Sequence, residues 1–190
     1  MVRILEEYAK KNNVPIMQKD GITFMCEYIN KHGIKNILEI GSAIGYSAIC
    51  MASVDSDIKV TTIERDINMY NVALKNIDDF NLNKQINIIN ADALDISLDG
   101  KYDLIFIDAA KSQYIKFFLK FTKNLNDNGV IITDNLSFHG LVEDDSKTNN
   151  RNTKQLIRKI RKYISFLKEN KEFNTEFYQL GDGISVSKKS

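Results

Sequence analysis

The strand and turn at residues 37–45 constrain the fold more than any other part of the chain. An apolar strand here runs directly into the turn Gly41-Ser42-Ala43-Ile44-Gly45. Such a turn is typical of α/β sheets that bind a nucleotide-like ligand, because glycine lets the backbone approach the ligand closely. The turn lacks the middle glycine of the G-x-G-x-x-G fingerprint, which allows a pyrophosphate to lie against the chain. The pattern therefore favours a nucleotide-like ligand other than NAD.

An acidic residue inside this strand indicates which ligand to expect. Glu39 lies two residues before Gly41. From this position a carboxylate can face the cationic amino-acid end of S-adenosylmethionine, through water or neighbouring amides. The sequence thus favours a methyl donor, with Glu39 and Gly41 as part of its site. A tight strand-to-helix turn that binds no ligand is the alternative interpretation of the same residues.

The length and charge of the chain limit its class. A chain of 190 residues is expected to form one domain, residues 1–190, that buries about 70% of its unfolded surface. With 26 basic and 25 acidic residues the net charge is +1, so the chain as a whole does not indicate a nucleic-acid partner. Any basic surface must therefore be local.

The cysteines and the N-terminus favour a cytoplasmic location. Cys26 and Cys50 both lie in apolar surroundings, which favours buried thiols over a disulfide or a metal pair. Residues 1–7 contain acids where a signal peptide needs apolar residues, and no run approaches 18 apolar residues. We therefore expect a cytoplasmic protein without a membrane partner.

Strands and helices are predicted to alternate along the chain. Apolar runs rich in Ile and Val are typical of buried parallel strands, and they occur at 36–40, 59–64, 86–90, 102–108 and 129–134. Helices are predicted between them and at both ends, at 20–32, 46–53, 67–80, 113–126 and 152–170. Two further strands, 173–180 and 184–188, flank a Gly-Asp-Gly turn as a hairpin. The prediction is an α/β fold with a doubly wound, mostly parallel seven-stranded sheet, helices on both faces and a C-terminal antiparallel hairpin.

Acids that end the second and third strands are candidates for ligand binding, because such sheets bind ligands beyond the carboxyl ends of their strands. Glu64 ends the second strand and can accept from both hydroxyls of an adenosine ribose. Asp92 follows the third strand and can accept from an adenine amino group, while Ala91 and Ala93 leave room for the ring. A solvated strand-end acid, or an Asp in an ordinary turn, is the alternative for each.

Three oxygen-bearing side chains at the ends of the fourth and fifth strands predict a metal site. Asp108 ends one strand, and Asp134-Asn135 ends the other. Two carboxylates and an amide carbonyl suit Mg²⁺ or a similar hard cation and leave about three of six octahedral positions open. Lys111 is close enough in sequence to Asp108 to reach the same pocket. The alternative is two unrelated capping acids and a surface lysine.

The motifs together resemble those of a known family. They are the strand and turn at 38–48, Ile107-Asp108-Ala109-Ala110-Lys111, and Thr133-Asp134-Asn135. In this pattern the chain is similar to the metal-dependent, catechol-type class I O-methyltransferases. The resemblance implies S-adenosylmethionine and Mg²⁺ or Mn²⁺ as cofactors. It also implies donor contacts from Met17, Ser47, Glu64, Asp92, Ala93 and Asp108, metal binding by Asp108, Asp134 and Asn135, and catalytic roles for Asp108 and for Lys111 as base or oxyanion partner.

The acceptor is open between two classes. Within the family the chain most resembles bacterial enzymes that methylate 5-hydroxyuridine in the anticodon loop of tRNA, and the predicted basic helix at 152–170 fits an RNA partner. A small catechol-like or phenolic acceptor is the alternative, although the turn Gly181-Asp182-Gly183 lacks the glutamate with which animal catechol enzymes bind a second hydroxyl. An NAD-dependent oxidoreductase and a non-catalytic nucleotide- or RNA-binding module are weaker readings.

The resemblance also bears on assembly. Relatives often form a homodimer through an N-terminal helical arm. The chain begins close to Pro15, so this arm is expected to be shortened here. A homodimer is the assembly that the resemblance implies, with this arm shortened.

Overall fold

A seven-stranded sheet forms the centre of the computed structural model, which describes residues 2–190. Its strands are β1 (Asn36–Ile40), β2 (Lys59–Glu64), β3 (Ile86–Asn90), β4 (Tyr102–Ile107), β5 (Leu125–Thr133), β6 (Phe173–Tyr178) and β7 (Ile184–Lys189). They lie in the order β3-β2-β1-β4-β5-β7-β6. The strands β1 to β5 pair in parallel, and β7 runs antiparallel to both β5 and β6. The predicted mostly parallel sheet with a closing hairpin is confirmed.

Helices cover both faces of the sheet, as predicted. They are α1 (Arg3–Asn12), α2 (Lys19–His32), α3 (Tyr46–Ala52), α4 (Ile67–Asp79), α5 (Tyr114–Phe121) and α6 (Arg151–Glu169). Successive strand residues point to opposite faces, so Ile37 and Leu38 belong to different apolar clusters. The first cluster contains residues of α1 to α4, and the second contains residues of α5 and α6.

The helix predicted at 113–126 is shorter than expected. The α-helical part, α5, ends at Phe121, a short 3₁₀ turn follows, and β5 already begins at Leu125. The buried Asn124 side chain explains the early end, because its amide donates to the carbonyl groups of Leu98 at 2.7 Å and Gly100 at 2.8 Å. These contacts hold the chain in a turn, and sequence periodicity does not report them.

Helix α1 was not predicted. It buries Leu5 and Ala9 against the first apolar cluster. The hydroxyl of Tyr46 donates to Glu6 Oε1 at 2.9 Å, which ties α1 to the start of α3.

The length and hydropathy of the helices bear on the membrane prediction. Across residues 2–190, no helix is both long enough and apolar enough to cross a bilayer.

Candidate functional site

A cavity of about 330 Å³ opens at the carboxyl ends of the parallel strands. It lies where a doubly wound sheet is expected to bind its ligand. Nine of the residues that the sequence singles out line it: Met17, Gly41, Ser47, Glu64, Asp92, Ala93, Asp108, Lys111 and Asn135. Two others, Glu39 and Asp134, are buried and do not line it.

The glycine turn packs tightly against the end of β4. Gly41 has a φ of 98°, and a Cβ atom at this position would lie 2.2 Å from the backbone oxygen of Asp108. No side chain fits there, so the turn needs glycine for space as well as for its backbone conformation. This close approach joins the turn directly to the strand end that carries Asp108.

Glu39 is enclosed below the turn. Its carboxylate accepts hydrogen bonds from the hydroxyl groups of Ser47 and Thr62, and the Thr62 hydroxyl also pairs with that of Ser42. Burial raises the pKa of Glu39 to about 7, against the lowering effect of these two hydroxyl donors. The expected approach of Glu39 to a ligand is therefore indirect in this structure, since Ser42 and Ser47 lie between it and the cavity.

Glu64 and Asp92 both lie at the wall of the cavity. Glu64 Oε2 accepts a hydrogen bond from the backbone N–H of Ala43 at 2.9 Å, so this carboxylate also holds the glycine turn. Asp92 Oδ1 accepts from the N–H of Leu94 at 2.9 Å. The second oxygens also have partners, since Glu64 Oε1 accepts from the N–H of Asp66 at 2.8 Å and Asp92 Oδ2 lies 3.8 Å from the Arg65 guanidinium. An ionised carboxylate has about four acceptor positions, so each side chain can still accept from a ligand. Met17, which is 4% exposed, lines the cavity as well.

Asp108, Asp134 and Asn135 come together at the ends of β4 and β5. The amide nitrogen of Asn135 donates to Asp134 Oδ2 at 2.8 Å and lies 3.3 Å from Asp108 Oδ1. Burial raises the pKa of both aspartates, and for Asp134 the neighbouring charge of Asp108 adds to the effect. Two carboxylates that are costly to ionise together form a place where a cation would be favoured.

The donor set at these strand ends suits a divalent cation. Asp134 Oδ1 is buried and has no hydrogen-bond partner within residues 2–190. The donor set consists of two carboxylates and one amide. Within residues 2–190, no group of three or more His, Cys, Asp or Glu suited to a metal occurs. For Asn135 to serve as a ligand, its amide oxygen would take the place that the nitrogen occupies here. Hard oxygen ligands of this kind fit Mg²⁺ or Mn²⁺.

Lys111 lines the cavity, and the segment after Asn135 lies next to it. The Lys111 Nζ lies 5.7 Å from the centre of the Phe138 ring, within the range of a cation–π contact. His139 has a side chain that is 69% exposed, with Nδ1 3.6 Å from Asp182 Oδ1. Lys111 is therefore held next to an aromatic surface at the mouth of the cavity.

Three buried residues near the acid pair or beneath the turn were missed by sequence reasoning. Tyr114 donates its hydroxyl hydrogen to the backbone oxygen of Asp134 at 3.0 Å. Thr62 is fully buried in contact with Glu39, and Asp182 is 4% exposed. Only Asp182 carried a signal, since it lies between two glycines in the C-terminal turn.

Comparisons of the sequence with known proteins show its family. The sequence profile of a family described as O-methyltransferase matches residues 1–190. A catechol O-methyltransferase of Niastella koreensis is 36% identical over 121 residues, which are 60% of this chain and 55% of that protein. The chain therefore matches little more than half the length of this relative. An Arabidopsis thaliana protein provisionally assigned as a caffeoyl-CoA O-methyltransferase is 27% identical over 191 residues, with 97% of this chain and 82% of that protein covered.

Solved structures show the same architecture. A Staphylococcus aureus protein provisionally assigned as a caffeoyl-CoA O-methyltransferase is 39% identical and superposes with a TM-score of 0.96, with 100% of this chain and 92% of that chain covered. An O-methyltransferase of Bacillus cereus, solved in complex with S-adenosylhomocysteine (SAH), is 24% identical with a TM-score of 0.84, and 100% of this chain and 90% of that chain are covered. The second likeness bears on the fold alone.

Proposed function

Because this chain belongs to the O-methyltransferase family, we propose that it transfers the methyl group of S-adenosylmethionine to a hydroxyl oxygen of an acceptor that has a second oxygen beside it. The observation that carries the proposal is the cavity itself. One side of the cavity has a glycine turn and strand-end acids that suit an adenosine. The other side has the Asp108, Asn135 and Lys111 side chains, which suit an ionising hydroxyl.

The proposed donor site uses the first three strand ends. Glu64 would bind the ribose hydroxyls, and Asp92 would accept from the adenine amino group beside Ala93. The backbone of the turn would approach the donor without a side chain at Gly41. Support comes from the residues that line the cavity and from the match to the O-methyltransferase family.

The proposed metal ligands are Asp108, Asp134 and Asn135. A divalent cation bound there would lower the pKa of an acceptor hydroxyl and would orient it together with a neighbouring oxygen. The buried Asp134 oxygen that lacks a partner within residues 2–190, together with the close contact of the three side chains, supports this assignment.

The chain's own groups supply the remaining chemistry. During transfer the bond from sulfur to the methyl carbon breaks with its electron pair left on sulfur, and a bond from the acceptor oxygen to carbon forms. Opposite charges on sulfur and oxygen cancel, so a cavity that excludes water favours the reaction. Lys111 would take the hydroxyl proton or stabilise the oxyanion, and its Nζ lies 5.7 Å from the centre of the Phe138 ring.

A catechol-like phenol is the acceptor that we propose first. The relatives include a catechol O-methyltransferase and a protein provisionally assigned as a caffeoyl-CoA O-methyltransferase. Two adjacent oxygens on a ring match an open cation site with two carboxylates. The Phe138 ring at the rim would pack against an aromatic acceptor.

A second candidate, 5-hydroxyuridine in tRNA, is favoured by the solvent face of α6. Its 5-hydroxyl and 4-carbonyl also form an adjacent pair of oxygens. Exposed basic side chains on and next to this helix could bind phosphates, and they are Arg151, Arg158, Lys159, Lys162, Lys168 and Lys171. Methylation at this position would give 5-methoxyuridine.

A methyl-transfer assay with labelled S-adenosylmethionine tests the proposal. Purified protein is given a simple catechol or hydroxyuridine-containing tRNA, in EDTA and then with Mg²⁺ or Mn²⁺ restored. We expect transfer to the catechol that EDTA abolishes and the cation restores, with Asp134→Ala inactive and Asp144→Ala, an exposed aspartate, as the active control. Transfer to tRNA but not to the catechol would select the second candidate. Full activity in EDTA would exclude the proposed metal role.

A further inference from the structure

The backbone after Asn135 is strained. Residues Asn135, Phe138, His139 and Gly140 have φ values of 66°, 49°, 58° and 75°. This left-handed conformation is unfavourable for residues other than glycine, and bulky aromatic side chains rarely adopt it. Such a segment persists only where its surroundings hold it in place.

The turn before β7 holds this segment through Asp182. The backbone oxygen of Asp182 accepts from the N–H of Ser137 at 2.7 Å, and its side-chain Oδ1 accepts from the N–H of His139. The backbone oxygen of Gly183 accepts from Leu136 N–H at 3.0 Å. Asp182 therefore holds the segment through two hydrogen bonds, one to its backbone oxygen and one to its side chain. Only 5% of the Asp182 side chain is exposed.

The contact between the two turns leaves no room for adjustment. Gly183 has a φ of 86°, and a Cβ atom there would lie 2.8 Å from the backbone nitrogen of Ser137. Movement of the turn must therefore move the segment as well.

The segment that Asp182 holds contributes two residues to the candidate site. Asn135 contacts both aspartates at its start, and the Phe138 ring lies under Lys111 Nζ. Burial is the main cause of the raised pKa of Asp108 and Asp134, and the charge of Asp182 adds a smaller contribution in the same direction. The position of Asp182 is thus tied to the reacting end of the cavity.

We propose that Asp182 is a positioning residue, whose side-chain hydrogen bond to the His139 N–H holds the strained segment 135–140 so that Asn135 and Phe138 keep their places beside Asp108, Asp134 and Lys111. The inference rests on the proposed function for its effect on catalysis. The hold on the segment is a property of the chain alone.

Two substitutions separate this hydrogen bond from the charge. Asp182→Ala removes the acceptor and the charge, whereas Asp182→Asn keeps an acceptor oxygen of the same length and removes only the charge. We expect D182A to lower kcat at least tenfold and to leave the affinity for S-adenosylmethionine within twofold, because the glycine turn is not touched. D182N should retain kcat within about threefold. Equal damage in D182N and D182A would overturn the proposal.

Hydrogen–deuterium exchange on the protein without ligands measures the hold directly. In D182A, peptides that cover 135–142 should exchange at least tenfold faster than in the wild type, and in D182N they should not. Exchange in D182A at the wild-type rate would overturn the inference. If the wild type transfers no methyl group, the proposed function fails, and this measurement still decides the positioning role.

The matched control is Asp103→Ala at the opposite end of β4. Asp103 Oδ2 also accepts backbone N–H bonds, from Lys35 at 3.1 Å and Asn36 at 2.9 Å. D103A should lower the melting temperature but leave kcat and exchange in 135–142 unchanged. A loss of kcat in D103A as large as in D182A would assign both effects to general stability and would overturn the proposal. Should D182A not fold, Asp182→Ser, whose hydroxyl is too short to reach His139, gives the same comparison.

Discussion

Glu39 and Glu64 lie at the ends of neighbouring strands but meet different surroundings. Glu39 is fully enclosed and accepts from two hydroxyl groups. Glu64 lines the cavity and accepts from the backbone of the turn. Two carboxylates of the same type therefore lie in different environments, one buried below the turn and one at the wall of the cavity.

Replacing Glu64 should weaken donor binding. Hydrogen bonds to a charged group contribute about 1.5–3 kcal/mol each, so Glu64→Ala should raise the Kd for S-adenosylmethionine at least tenfold. Isothermal titration calorimetry measures this, with Glu172→Ala, an exposed acid outside the cavity, as the control. An unchanged Kd in the Glu64 variant would remove this residue from the donor site.

Glu39 should make stability depend on pH. Its pKa rises from 4.5 to about 7 in the folded protein, so between these values the unfolded chain ionises first. The free energy of unfolding should therefore fall as pH rises from 4.5 to 7, by up to about 3 kcal/mol. Glu39→Gln cannot ionise and lacks this slope, while slopes from Asp108 and Asp134 are common to both proteins.

Urea unfolding at pH 5 and pH 8 checks this difference. The wild type should lose stability relative to the Glu39→Gln variant between the two values. Parallel changes in both proteins would show that Glu39 ionises in the folded state as it does in the unfolded chain.

At the scale of elements, one face of α6 packs next to the candidate site and the other faces solvent. Its buried face includes Tyr163, whose hydroxyl shares a hydrogen bond of 2.8 Å with Thr133, the residue before Asp134. On the other side Arg161 is already bound, to Asp145 at 2.9 Å and to the Val142 oxygen at 2.8 Å. The basic side chains that face solvent are thus the ones available to a phosphate backbone.

Charge reversal on α6 tests the RNA candidate. If phosphates bind there, changing Arg158, Lys159 and Lys162 to Glu should raise the KM for tRNA and flatten its dependence on salt, because about 0.7–0.9 counterions are released per phosphate contact. The Kd for S-adenosylmethionine should not change. The control changes three exposed lysines elsewhere, Lys10, Lys11 and Lys31. Equal effects of the two triple variants would reflect net charge, and no effect in either would remove α6 from RNA binding.

At the scale of the whole molecule, the sheet order places β1 next to β4. The end of β1 and the glycine turn therefore touch the strand end that bears Asp108, whose N–H donates to the Ile40 oxygen at 3.0 Å. The donor side and the cation side of the cavity share one backbone contact. A change at that contact should affect both.

Gly41→Ala should disrupt both sides of the cavity. The added methyl would meet the Asp108 oxygen, and we expect donor binding to be lost and methyl transfer to fall below a hundredth of the wild-type rate. Gly33→Ala is a matched control, because Gly33 also has a positive φ, of 63°, but has no atom within 4 Å of an added Cβ. It should cost about 1–2 kcal/mol of stability with activity unchanged. Near-normal activity in Gly41→Ala would show that the turn yields without harm.

The sequence by itself determined the sheet strands and the order of the strand-end acids. Strands β1, β2 and β3 have the bounds predicted for them, because continuous Ile and Val runs report burial on both faces. Since parallel strands end at one edge, the acids after them were expected to meet there. Helix α1 was missed although Leu5 and Ala9, which lie four residues apart, form its buried face. The early end of α5 was missed because it depends on contacts of Asn124 with distant residues.

Only the tertiary structure decided which buried polar groups support the site. Asp182 and His139 are 43 residues apart in the chain, and Thr133 and Tyr163 are 30 apart. Periodicity reports whether a residue is buried, but it does not report its partner. Those partners follow from the antiparallel pairing of β7 with β5 and from the packing of α6 on the sheet. Burial favours a hydrogen bond for each such group, and the fold alone decides where that bond is made.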